Sequence, residues 1–250
     1  MADYGMQLFN DAGKVIASTG QLNFSLRSSG QITNAQFNPK GESSFCNLVL
    51  DTSGMNSPIV FLKPMNADSR VSMLPGSGAD FQGGALSKMW VISKWWNKTV
   101  QPIQYYIFDR WIPPATDSYG IRMWDQNKNL TFDSNWYHLL LKKVIWLNPG
   151  FPNHSGNGSG SNWTSIGAAG AGNLAVSMPI ARQYGYGWYA LTECFHLAGG
   201  NNEVFVSVVP RGQMFWSGWG SEYLNRNTKS QVMIADVSRL PTSYNPVKVI

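Results

Sequence analysis

The chain says the same thing twice, and that limits its folds more than any other feature. Tyr4-Gly5-Met6-Gln7-Leu8-Phe9-Asn10 is answered by Tyr119-Gly120-Ile121-Arg122-Met123-Trp124-Asp125, each residue 115 positions after its counterpart. Both phrases open on Tyr-Gly, alternate apolar with polar residues and close on an aromatic. A turn follows in each, Asn10-Asp11-Ala12-Gly13 in one and Asp125-Gln126-Asn127-Lys128-Asn129 in the other, and a second short run begins at Val15 or Leu130. Asn, Asp and Gly tolerate the positive φ that tight turns require, so each copy reads as a β-hairpin. Three further marks recur in order: Cys46 with Cys194, Pro64 with Pro210, and the run Gln104–Asp109 with Gln231–Asp236. Ordered self-similarity of this kind predicts an internal duplication.

The predicted class is all-β: two tandem antiparallel β-sandwiches of jelly-roll or immunoglobulin-like type, over residues 1–116 and 117–250. Pro113-Pro114 forces an extended connector near the boundary. Candidate strands fall at 4–9, 14–18, 21–27, 45–50, 58–63, 89–95, 103–109, 119–124, 129–133, 139–147, 174–180, 187–197, 203–209 and 231–237. Many alternate at period two, as Leu22, Phe24 and Leu26 do, and no window carries a helical stripe. The Gly/Ser-rich stretch 148–173 has no charge and little to bury. It is expected to be a loop, mobile or ordered by a partner.

Only 13% of the residues are charged, about half the share usual in globular chains. That suits a surface covered by neighbouring subunits better than a solitary enzyme. The net charge of +5 is spread along the chain, with Lys142-Lys143 its one adjacent basic pair. This excludes a concentrated nucleic-acid stripe. Two cysteines make no disulfide framework and read as small core residues. The N-terminus has no basic segment or apolar core of a signal peptide, and no run is apolar enough for a membrane span.

Catalysis needs titratable groups brought together, and the chain has only four glutamates, ten aspartates and three histidines. Asp109, Asp125, Asp133 and Asp236 stand at strand ends or turns, where capping of backbone N–H groups is expected. Glu193-Cys194-Phe195-His196 is the one cluster with chemical promise. On a strand Cys194 and His196 share a face and Glu193 and Phe195 the other, so a Cys–His dyad can be drawn. No His stands at the comparable place in the first half, and no sharp elbow presents Cys194. The expectation is no catalytic site, no cofactor and no metal. Eleven tryptophans remain. Trp90, Trp124 and Trp146 lie in strand-like runs and are read as core. Trp95, Trp96, Trp163, Trp216 and Trp219 are the candidates for an interface or for stacking on a glycan.

The doubled hairpin, Tyr4 to Phe9 and Tyr119 to Trp124, closed by Asp133-Ser134 in the second copy, resembles the start of a group of bacteriophage tail proteins. The Ile59–Pro64 strand and the closing Ile234-Ala235-Asp236 are similar to elements of that group. The resemblance implies a structural virion component at or near the tail tip. It implies no enzymatic activity, with other tail proteins and copies of itself as partners. A homotrimer with pseudo-sixfold symmetry is the expected assembly. The alternative function is a glycan-binding, receptor-binding module of the virion acting in host attachment, and a cell-wall hydrolase ranks below both.

Overall fold

The computed structural model describes residues 7–9, 13, 15–18, 22–39, 45–52, 54–65, 71–75, 89–95, 99–114, 119–151, 163–187, 189–213, 219–223 and 228–246. Among the described residues the regular structure is all strand but for one short 3-10 turn at Asn34–Gln36. The strands are β1 (Gln7–Phe9), β2 (Val15–Ser18), β3 (Phe24–Ile32), β4 (Asn38–Pro39), β5 (Phe45–Asp51), β6 (Ile59–Lys63) and β7 (Val71–Pro75). They continue with β8 (Met89–Trp95), β9 (Ile103–Arg110), β10 (Arg122–Trp124), β11 (Leu130–Asp133), β12 (Leu140–Leu147) and β13 (Thr164–Ala168). The last six are β14 (Leu174–Ile180), β15 (Gln183–Gly187), β16 (Tyr189–Ala198), β17 (Glu203–Gln213), β18 (Trp219–Tyr223) and β19 (Ser230–Asp236).

The two hairpins form as the sequence demands. In β1–β2, Leu8 faces Ala17 and Phe9 faces Val15; in β10–β11, Met123 faces Phe132 and Trp124 faces Leu130. Each therefore skips one residue at the same place, a bulge that twists the ribbon. The turns match as well: Gly13 and Lys128, counterparts in the repeat, both lie in the left-handed region at φ 70 and 64. Tyr4 lies outside the described residues.

Two large antiparallel sheets make up the body. One runs β12-β19-β14-β6-β9-β3; the other runs β13-β17-β16-β7-β8-β5-β4, with β15 and β18 attached beside β16. Both sheets take strands from before and after residue 116, so separate sheets for each stretch, as two tandem sandwiches would have, are not what forms. β14 meets β6 at Val176 and Leu62, and β16 meets β7 at Phe195 and Val71. Strand order and register run alike on the two sides of these joints. Leu26 and Ser28 face Phe108 and Ile107 around a bulge, just as Leu141 and Lys143 face Ala235 and Ile234. Ile107 and Ile234 sit opposite Val60 and Val176. The other two marks do not correspond. Cys46 is on β5 and Cys194 on β16, while Pro64 follows β6 and Pro210 lies within β17.

Period-two alternation buries both faces of the inner strands of the six-stranded sheet. Val60, Leu62, Ile107, Val176, Val232 and Ile234 point toward the other sheet and pack with its Ile92, Phe195, Leu197, Val204 and Val206. The residues between them, Phe61, Tyr106, Phe108, Ala175 and Ala235, make a second core with Leu26 and Val237. Leu139, Leu240 and Tyr244 cover that core. These covering segments are hydrogen-bonded to β3. Leu26 N donates to Tyr137 O at 2.7 Å, Leu139 N to Phe24 O at 3.0 Å, and Ser29 and Tyr244 exchange both backbone bonds.

Two expectations fail here. Part of the stretch read as a loop is strand, since β13 pairs with β17; residues 152–162 lie outside the described residues. Trp124 and Trp146, read as core, are each 51% exposed, because they occupy the outward positions of their strands.

Candidate functional site

The Glu193–His196 stretch was the place to look for chemistry, and the fold buries all of it. Glu193 and Cys194 are fully buried and His196 is 6% exposed. Arg182, the largest fully buried side chain among the described residues, lies just before β15 and takes the Glu193 carboxylate: its Nε and Nη2 donate to Oε1 and its backbone N–H to Oε2. The same guanidinium donates to the carbonyls of Asn148 and Phe151. A carboxylate held this way by a guanidinium is a structural clamp and not a general base.

On the opposite face of β16, the His196 ring stacks on Phe205 at 5.0 Å between centroids. Trp163 stands edge-on to it at 4.4 Å. Its Nδ1 lies 3.2 Å from the Leu197 carbonyl oxygen. Cys194 lies in the same buried strand. Thus Trp163 is brought, partly buried, against His196, which in turn stacks on Phe205. Replacing Cys194 or His196 with alanine is expected to cost about one to a few kcal/mol of stability through lost packing. Purified variants assayed on peptidoglycan and capsular polysaccharide are expected to show no turnover to lose.

Of the other tryptophans singled out, Trp95 ends β8 opposite Phe45 and Trp219 begins β18 opposite Gly187. Their side chains, and Trp96 and Trp216 altogether, lie outside the described residues.

The aspartates do what turn residues do. Asp109 is buried and accepts from the backbone N–H groups of Asn56 and Ser57 at 2.7–3.1 Å. Asp125 accepts from the side chain and backbone of Asn129 and the backbone of Asn127, which holds its carboxyl below the usual range. Burial pulls Asp133 upward, but bonds from Arg122 at 2.7 Å and from the Asn135 amide win and hold it low. Asp236 is likewise held low by the Ser238 hydroxyl and amide and by Lys142. Among the described residues no group of three or more His, Cys, Asp or Glu could hold a metal ion. No helix among them is long and apolar enough to cross a membrane.

What sequence reasoning missed is an apolar exterior. Tyr119 is 86% exposed, and Phe9, Ile121 and Trp124 on the two hairpins are exposed too. The hairpins lie side by side, β2 against β11. A second exposed set, Leu140, Leu141, Val144 and Trp146, lies on β12, the terminal strand of the six-stranded sheet. Monomeric proteins seldom expose so many large apolar residues together, and such patches mark sites of contact. The signal was available: two like hairpins each ending in an aromatic cannot both bury it when the ribbon has only two strands.

No protein-family model, no curated protein and no solved structure matches this chain.

Proposed function

We propose that the protein is a structural component of a bacteriophage tail, at or near the tip, that works by contact with copies of itself and with other tail proteins. The observation that carries this reading is the pair of hairpins. They share register, bulge and left-handed turn residue, and they display Phe9 and Trp124 at matching outward positions. These are the residues on which the resemblance to the tail proteins rests. A contact role without turnover agrees with a strand on which Glu193 is clamped and Cys194 and His196 are buried.

The same reading takes the chain as an internal duplication of a jelly-roll-like sandwich, fused through shared sheets. Order by order, β1, β2, β3, β5, β6, β7, β8 and β9 answer to β10, β11, β12, β13, β14, β16, β17 and β19. Because β6 and β14 are antiparallel neighbours in the middle of a sheet, such repeats are related by about a half turn. A homotrimer then presents six units that alternate in direction, threefold in symmetry, in place of a ring with six equivalent faces.

Light scattering of the purified protein is expected to give three times the chain mass of 27.7 kDa. Antibody-labelled electron microscopy of virions is expected to place it at the tail end. Label on the capsid, or a monomer in the virion, overturns the proposal. The exposed Tyr119, Trp124 and Trp146 favour a glycan-binding module as the second reading. Saturable binding to a host-surface glycan, lost in Tyr119→Ala, would select it.

A further inference from the structure

His138 stands where the second hairpin meets the body. Its ring lies flat on Phe132 of β11, with 4.7 Å between centroids and 6° between planes, and Trp136 is tilted against it at 6.1 Å. Its backbone bridges to Ser25 of β3. The residues on either side of it make the two hydrogen bonds that tie this segment to β3: Tyr137 O accepts from Leu26 N, and Leu139 N donates to Phe24 O. The side chain therefore occupies the centre of a seam between the hairpin and the six-stranded sheet.

The ring's hydrogen bonding is one-sided. Nε2 lies 2.9 Å from the carbonyl oxygen of Asp133, which can only accept, so Nε2 carries the proton. Nδ1 is buried without a hydrogen-bond partner. A bare acceptor nitrogen in an aromatic surround is tolerable; a protonated one there is a buried N–H and a buried charge with nothing to receive them. Of the charged groups nearby, Asp133 on β11 is already engaged by Arg122 of β10. From β3 the seam receives the uncharged Ser25, while the bulged Arg27 is turned onto the face of Trp111 at 4.1 Å.

We propose that His138 makes the junction between the β10–β11 hairpin and strand β3 an acid-released joint, closed when the imidazole is neutral and opened when it is protonated. The inference rests on the seam alone and does not require the tail reading. Burial pushes the imidazole below its ordinary value of 6.5, against the smaller opposing pulls of the Asp133 carbonyl and carboxylate. A histidine whose folded value is depressed gives its full stabilisation above the unfolded value and loses it as pH falls below that value. Acid therefore weakens the seam, and mild alkali does not.

Residue-resolved amide hydrogen exchange by NMR on the whole chain, corrected for the intrinsic pH dependence of exchange, tests this. Two groups of amides are compared between about pH 8 and about pH 5, the window in which histidine changes charge. Leu26 and Leu139 report the seam; Ile107 and Ile234 report the sheet interior. In the natural protein the seam amides are expected to lose protection severalfold on acidification while the interior amides hold theirs. In His138→Gln, which can still donate to the Asp133 carbonyl but cannot gain a charge, seam protection is expected to be the same at both pH values. His138→Phe, which keeps the stack on Phe132, supplies the same comparison if the glutamine variant does not fold. Unchanged seam protection in the natural protein, or an equal acid response in either variant, overturns the proposal.

Discussion

Replacing Arg182 with methionine is expected to destabilise the fold by about 3–5 kcal/mol, because it leaves the fully buried Glu193 carboxylate without its counter-charge. The measurement is equilibrium denaturation in urea, read as a lower midpoint at unchanged slope. The deciding comparison is the double replacement Arg182→Met with Glu193→Leu. Taking both charges out of water costs nearly as much as their attraction returns, so removing the pair together is often close to neutral. Arg182 also serves the carbonyls of Asn148 and Phe151, but both residues are exposed and water can take its place. The double variant is therefore expected to recover most of the loss. A single and a double variant of equal stability would mean that the guanidinium acts through packing alone.

Phe61→Ala is expected to cost about 3–5 kcal/mol, the range for truncating a buried aromatic. Phe61 is fully buried on β6 and meets Phe108 edge to face, with centroids 5.7 Å apart and planes at 87°. About 0.5–1.5 kcal/mol of the loss belongs to that ring pair beyond the area it buries. The contrast is Trp146→Ala, which removes a larger side chain from the outward face of β12. There the change in the isolated chain is expected to stay within about 0.5 kcal/mol, as surface substitutions do. Thermal and urea unfolding of the two variants side by side separate a core position from a contact position on this basis.

Trp146 also shows where the sequence could mislead. Period-two alternation identifies a strand but not which of its faces turns inward, and β12 has neighbours on one side only. An aromatic in alternation reads as core whether or not a second layer covers it. Pro210 misled for another reason: it sits in β17 opposite Leu191, where the pairing skips a residue, and a bulge is where a strand accepts proline. As the end of a strand, in the manner of Pro64, it marked the wrong element. β7, with Gly and Pro crowding its end, and β13, with no apolar stripe, carry too little pattern to be seen.

By contrast, the hairpins, β3, β6, β9 and β19 were legible because each combines alternation with a turn signal. The chemistry of β16 was half legible. Glu193 inside an apolar run announces that some cation must meet it, but nothing in the spacing names Arg182, which reaches it only through the pairing of β15 with β16. The hairpin aromatics carried a signal of their exposure, but the apolar face of β12 was not legible, since its exposure belongs to the arrangement of sheets and not to any one segment.

The pairing of Ser29 with Tyr244 has a consequence for how the molecule is made. Ser29 bonds to the backbone of Tyr244 and through its hydroxyl to the carbonyl of Pro241, and Gln104 reaches the carbonyl of Thr242. Strand β3 is made well before Tyr244, and on the side away from β9 only the stretch Phe24–Leu26 meets an earlier partner, at Tyr137 and Leu139. Until Tyr244 follows, the stretch around Ser29 is an unpaired edge, open to any strand that passes. Shielding this stretch until Tyr244 arrives is then expected to raise the yield of native protein.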